Sequence, residues 1–244
     1  MALSMMNGIH DQSLASDIDP VILLYRNILT LVDSSTDLRW LAFEGLATCY
    51  DLRFQRTKQL ADLEEMIKAL RGGLEICRVA SARPLMLSYL GHGLATRFNL
   101  GGHLEDLDEA VTLLRESSLT QQQSRSPSSR QGLDKLQHFS SVLSTRYNLS
   151  HRDADLDELV SVGHKLLELR PVTHPDRPSA MDDFARHLYT RFTEKQQLTD
   201  LDDAITLRRE ALQLPHNHDR SWIRILNNHG VAFRKRFGKT GRSI

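Results

Sequence analysis

The stretch Thr190-Arg191-Phe192-Thr193-Glu194-Lys195-Gln196-Gln197-Leu198-Thr199-Asp200-Leu201-Asp202-Asp203 decides the fold, because the chain keeps repeating it. Its opening returns as Thr96-Arg97-Phe98, Thr145-Arg146-Tyr147 and Lys235-Arg236-Phe237, with an earlier copy at Leu52-Arg53-Phe54. The aromatic recurs at 54, 98, 147, 192 and 237, in steps of 44, 49, 45 and 45. Eight residues after the first four aromatics an acidic cluster follows: Asp62-Leu63-Glu64-Glu65, Asp106-Leu107-Asp108-Glu109, Asp155-Leu156-Asp157-Glu158 and Asp200-Leu201-Asp202-Asp203. Asp17-Ile18-Asp19 holds the same place ahead of the first aromatic. Self-similarity at this period is the signature of a stacked repeat architecture. The one long step coincides with the Gln/Ser/Pro stretch 121–129, read as a loop insertion.

Working back from each aromatic, the pattern is helical. Eleven residues upstream stand Phe43, Leu87, Leu136, Met181 and Leu226; eight upstream, Leu46, Leu90, Phe139, Phe184 and His229; four upstream, Tyr50, Leu94, Leu143, Leu188 and Phe233. Offsets of three and four residues hold these on one face of a helix, called A. Seven upstream the residue is always small (Ala47, Gly91, Ser140, Ala185, Gly230), so a neighbouring helix can pack close. The acidic cluster opens a second helix, B. Its leading Asp is expected as the N-cap, with the acid three further on completing a capping box. Apolar residues follow at helical spacing, as in Ile67, Leu70 and Leu74. The Arg before each aromatic suits the helix C-terminus and is positioned to pair with the next acidic cluster. Prolines 84, 171, 175, 178 and 215 punctuate the turns after B.

The expected fold class is all-α, with about ten helices alternating from a B helix near Asp17 to an A helix near Phe237 as five B–A units. The expected domains are an N-terminal tail over 1–16, one repeat domain over 17–237 and a C-terminal tail over 238–244. Gly163 and Asp153 are expected to weaken the third repeat, and Met66 and Leu159 take the place of the small residue of B. Gly72-Gly73 and Gly101-Gly102 are read as helix ends or turns.

The spacing in helix A, best seen in Phe43/Leu46/Ala47/Tyr50 and Leu87/Leu90/Gly91/Leu94, resembles the first helix of a tetratricopeptide (TPR) repeat. Ala110 and Ala204 in helix B, and the closing Pro171 or Pro215, fit the same resemblance. The period is longer than the usual 34 residues. It is similar to a roughly 45-residue variant in fungal proteins that carries Thr-Arg-Phe, Asp-Leu-Asp-Glu-Ala and His-Pro-Asp-Arg motifs. His174-Pro175-Asp176-Arg177 matches the last in full and His218-Asp219-Arg220 in part. The resemblance implies an α-solenoid of antiparallel helix pairs, a right-handed superhelix that binds a protein or peptide in its concave groove. In that family the repeats often precede a caspase-like CHAT domain, which has no counterpart segment here, so protease activity is not carried over.

The resemblance also implies where a ligand would lie, on the non-core positions of A. Ten before the aromatic these are Glu44, Ser88, Gln137, Asp182 and Asn227. Six before, they are Thr48, His92, Ser141, Arg186 and Val231. Three before, they are Asp51, Ala95, Ser144, Tyr189 and Arg234. Mostly polar residues suit a groove that clamps an extended peptide, and equally suit a solvated helix face.

Composition narrows the alternatives. Lys plus Arg and Asp plus Glu are both 31 of 244 residues, so no overall charge favours nucleic acid or an anionic membrane. The basic run Arg234-Lys235-Arg236…Lys239…Arg242 is partly the repeat motif itself. Cys49 and Cys77 build neither a disulfide framework nor a zinc site, and a cytoplasmic location is expected. No signal peptide or membrane span is expected. His216-x-His218 is the one close histidine pair, read as turn geometry and not as a metal site. No nucleotide-binding or metalloprotease motif is present, so no catalytic residue, metal or cofactor is expected. The favoured reading is a protein-binding scaffold and not an enzyme. The alternatives are a sensor fragment of a CHAT-type protease and a nucleic-acid-binding repeat. An exposed apolar edge is expected on the last A helix, covered by a partner, by self-association or by further sequence.

Overall fold

The computed structural model describes residues 18–31, 39–121, 130–215 and 220–241, which form helices and turns without a strand. The insertion 122–129 and the pair His216/His218 lie outside the described residues. The chain divides into two compact units, Met1–Arg125 and Ser126–Ile244, and the division falls within the insertion that lengthens the third repeat step.

The first unit contains α1 (Asp19–Leu31), α2 (Arg39–Thr57), α3 (Leu60–Ile76), α4 (Arg83–Gly101) and α5 (Leu104–Gln121). The second contains α6 (Arg130–Ser150), α7 (Asp153–Glu168), α8 (Arg177–Lys195), α9 (Leu198–Gln213) and α10 (Arg220–Thr240). Even-numbered helices are A and odd-numbered helices are B. Within each unit every helix packs on its neighbours in sequence, and α10 also touches α8. α10 runs past the aromatic at 237 to Thr240.

Two-residue turns join each A helix to the B helix that follows, so the tight antiparallel hairpin is A–B and not the B–A unit expected. Each turn is built alike. The N–H four residues after the aromatic bonds back to the aromatic's carbonyl: Lys58 to Phe54 (2.8 Å), Gly102 to Phe98 (2.7 Å), His151 to Tyr147 (2.7 Å) and Gln196 to Phe192 (2.8 Å). Those four residues are left-handed, with φ of 57°, 74°, 49° and 55°. Gly241 repeats this after Phe237, with φ 63° and a 2.7 Å bond. The left-handed residue ends one helix and satisfies an otherwise orphaned carbonyl. In three of the five a side chain occupies a position that glycine holds at far lower cost. His151 stacks edge-on against Tyr147, and Lys58 sits 5.7 Å from the Phe54 ring centre.

The core follows the predicted stripe. Leu46, Tyr50, Leu87, Leu90 and Leu94 are buried in the first unit, and Phe139, Leu143, Phe184, Leu188 and Phe192 in the second. Val160, Phe184, Ala185, Leu188 and Ala204 form one cluster in the second unit, and Phe192, Leu201, Ile205 and Ala232 another. The glycines serve close approach more than chain reversal. Gly72 and Gly73 lie inside α3 and not at a turn: a Cβ on Gly72 would meet Phe43 at 2.9 Å and one on Gly73 would meet Met86 at 2.3 Å. Gly163 has a packing role in the third repeat. It makes room in α7 for the Phe184 ring, which a Cβ would strike at 2.4 Å. Met66, in the place of a small residue, is accommodated by Gly93 opposite, where a Cβ would come within 2.4 Å of the methionine methyl.

Candidate binding face on the A helices

The repeat's arginine and leading aspartate form a lock across each A–B hairpin, nine residues apart. Arg97 donates to Asp106 through Nε (2.7 Å) and Nη2 (2.6 Å). Arg146 grips Asp155 (2.9 and 2.6 Å), and Arg191 grips Asp200 (2.8 and 2.7 Å), in the same two-pronged way. Arg53 places Nε (2.9 Å) and Nη2 (2.5 Å) on one oxygen of Asp62, while the Thr57 hydroxyl donates to the other (3.2 Å). The planar fork matches the carboxylate, so the pair fixes the hairpin's angle as well as contributing energy. The Arg97 hydrogen bonds hold the Asp106 carboxyl below its ordinary range.

The leading aspartates therefore do not cap helix B. Asp62, Asp106, Asp155 and Asp200 are each the third residue of their helix. The caps are Gln59, Arg152 and Gln197 in α3, α7 and α9, none with a side-chain cap bond. An aspartate can answer either free N–H groups or a guanidinium, and here the arginine four residues before the end of A reaches it first. The acid at the third place of a cluster points to the next A helix: Asp19 accepts from Arg53 (2.5 Å), Asp157 from Arg191 (3.5 Å) and Lys195 (2.8 Å), and Asp202 from Arg236. One arginine thus ties its A helix to the B helices on both sides.

With the locks and the core stripe accounted for, the exposed side of the A helices remains. In the first unit Glu44, Thr48 and Asp51 are half-buried along α2, and His92 stands exposed on α4. Ser88 is buried instead. The pattern missed Tyr89, whose signal was a large aromatic outside the core register. In the second unit Ser141, Arg186, Asn227 and Arg234 are exposed, and Tyr189 is half-buried against Phe192. Gln137 is half-buried and accepts from the buried Arg170 (2.9 Å).

Asp182 departs furthest from the expected groove. It is buried, accepts from Arg208 Nε (2.8 Å) and the Asn228 amide (3.2 Å), and forms an ion pair with Arg224 at 3.2 Å. Arg208 is itself buried on α9, at the place where α3 and α5 carry Leu70 and Leu114. A cation at an apolar register position was the signal that sequence reading passed over. His187, next to Arg186, is also buried, with neither ring nitrogen hydrogen-bonded. Burial, and then the Arg186 charge, lower its pKa to about 3.

The His174-Pro175-Asp176-Arg177 motif is local architecture. The His174 ring accepts the Asp176 N–H (3.1 Å), and Arg177 donates to the carbonyls of Leu167 (2.9 Å) and Arg170, closing the end of α7. Cys49 is fully buried, and its thiol is pushed up to about 11, the environment of an inert structural cysteine and not of a nucleophile. Among the described residues no three His, Cys, Asp or Glu side chains are placed to hold a metal, and no helix is long and apolar enough to cross a membrane. On α10, Leu226 and Phe237 are 44% and 55% exposed, although they occupy core positions of the repeat.

No protein-family model matches the sequence, and no curated protein resembles it in sequence. Solved structures do match in fold. A putative kinesin light chain of Podospora anserina with nearly identical TPR-like repeats superposes with a TM-score of 0.51 at 15% identity, over 84% of this chain and 90% of that one. BtubC (BKLC) from P. vanneervenii gives 0.54 at 13% identity, over 95% and 88%. The assembly chaperone of RpL4, Acl4, gives 0.53 at 14% identity, over 100% and 89%. The fold is that of TPR-like helical repeats. Among the structures it resembles is an assembly chaperone.

Proposed function

We propose that the chain is a protein-binding scaffold whose two units each offer an A-helix face to an extended segment of a partner. One observation carries this reading. In a TPR-like fold, the A-helix positions facing neither the core nor a lock remain largely polar: the half-buried Glu44, Thr48 and Asp51 in the first unit, and the exposed Arg186, Asn227 and Arg234 in the second. Such a face offers hydrogen bonds and charge to a peptide without disturbing the stack. A similar fold in an assembly chaperone supports the reading by analogy. The chain acts by binding and not by catalysis, and with Cys49 and Cys77 free and buried it is suited to the cytoplasm.

The test is peptide display selected against the whole purified chain, followed by affinity measurements on variants. Thr48→Ala, Arg186→Ala, Asn227→Ala and Arg234→Ala are expected to include changes that weaken binding. Lys68→Ala, Thr112→Ala and Glu210→Ala, on exposed B-helix positions, are expected to leave it unchanged. Selected peptides that bind every A-face variant as tightly as the parent would remove the assignment.

A further inference from the structure

Carboxylates in this chain that lose water generally acquire an arginine. Asp62, Asp106, Asp155, Asp182 and Asp200 are buried, and each is bonded by a guanidinium. The half-buried Glu65, Glu109, Glu116, Asp183 and Asp202 likewise pair with Arg26, Arg71, Arg83, Arg186 and Arg236. Glu44 and Asp51 on α2 break the rule. Both are half-buried, and among the described residues no lysine or arginine bonds either carboxylate; Asp51 has the Gln55 amide at 2.8 Å. Burial pushes both carboxyls above their ordinary range, and for Asp51 the charges of His92 and Lys58 offset only part of that. A desolvated carboxylate without a bonded counter-charge is stabilised strongly by an arriving cation.

The surroundings fit such a cation. Glu44, Thr48 and Asp51 are spaced four and three apart, so they form one stripe along α2. On α4, Tyr89 leaves 47% of its surface exposed, and burial, then the charges of Glu44 and Asp51, raise the pKa of its hydroxyl. An open tyrosine ring within the electrostatic reach of two carboxylates offers a flat π-face for a cation, and apolar area for the stem of a long side chain.

Resting on the scaffold reading above, we propose that this part of the A face receives a lysine or arginine side chain from an extended, positively charged segment of a partner protein. Glu44 and Asp51 bond the cationic head, and the Tyr89 ring covers its stem. Salt weakens the contact, because charge supplies much of the attraction.

The experiment is fluorescence anisotropy on the full chain with three labelled peptides of equal length in a Gly/Ser background: one with alternating Lys and Arg, one with Glu at the same places, and one neutral. The cationic peptide is expected to bind most tightly. Glu44→Gln with Asp51→Asn should weaken it about tenfold or more, and Tyr89→Leu by a smaller factor. Glu194→Gln with Asp203→Asn, a control on exposed acids elsewhere, should leave it unchanged. Circular dichroism of the double variant should match the parent, since no ion pair with a lysine or arginine among the described residues is broken. Equal binding by parent and double variant overturns the proposal. If only the acidic peptide binds, and Arg186→Ala or Arg234→Ala weakens it, the charge assignment falls while the A-face reading stands. If no peptide binds, both fall.

Discussion

The two units use one repeat register and fill it differently. In the first, α5 puts Leu114 into the core eight residues after its leading aspartate, and Ser88 stands ten residues before the aromatic of α4. In the second, the same two places hold Arg208 and Asp182, a buried ion pair with Asn228 and Arg224 added to it. The exposed A face differs as well. The half-buried Glu44 and Asp51 carry charge there in the first unit, and the exposed Arg186 and Arg234 in the second. Between the units, the Arg–Asp lock and the left-handed turn stay fixed. They set the hairpin, whereas a core position accepts either an apolar group or a fully satisfied charge pair.

That contrast can be broken directly. Asp182→Ser alone should cost about 3–5 kcal/mol, because Arg208 is left buried without its counter-charge. Adding Arg208→Leu reproduces the first unit's Ser/Leu solution and should return stability to within about 1 kcal/mol of the parent, or above it. Denaturant melts of the two singles and the double decide it; simple additivity would show that the pair does not act as a unit.

A smaller effect separates the units at Gly163. Gly163→Ala should cost about 1–3 kcal/mol by driving a methyl into the Phe184 ring. Phe184→Leu, the residue type at this register position in the first unit, should relieve most of that in the double variant. A Gly163→Ala variant as stable as the parent would show that the ring yields freely.

Acid should distinguish the units next. Five residues before the aromatic the first unit has Cys49 and Gly93, while the second has the buried His187. Its folded pKa, about 3, lies below the unfolded value of about 6.5, so the unfolded chain binds the proton more readily. Its contribution is complete above about pH 6.5 and fades as pH falls toward 3, by up to about 1.4 kcal/mol per pH unit. His187→Leu should remove that part of the slope. An unchanged slope between about pH 6.5 and 4 would place the sensitivity elsewhere.

The smallest expected change is at the turns. Lys58→Gly relieves a left-handed side chain and loses the contact with the Phe54 ring, and should shift stability by less than about 1 kcal/mol. A loss of several kcal/mol would mean that the side chain, not the turn, holds the hairpin.

Recurrence made the helices, their register and the Arg–Asp partnership legible before any coordinates, since spacing alone puts Arg191 and Asp200 on either side of one turn. Where the aspartate sits in its helix was not legible, because a cap and a guanidinium partner ask for the same oxygens. The left-handed turn residue was hidden too: Lys58, Gly102, His151 and Gln196 share no chemistry, so the two-residue connection imposes the conformation. On the candidate face, polarity marked the right stripe but could not tell an open residue from one paired inside. Asp182 and Arg186 look alike in the pattern and end in opposite places.

Charge reversal of the A face is the most direct test of the binding account. With the cationic and acidic peptides as probes, Glu44→Lys/Asp51→Lys should abolish binding of the cationic peptide and spare the acidic one. Arg186→Glu/Arg234→Glu should do the converse. Cationic-peptide affinity that survives reversal of Glu44 and Asp51 would contradict it.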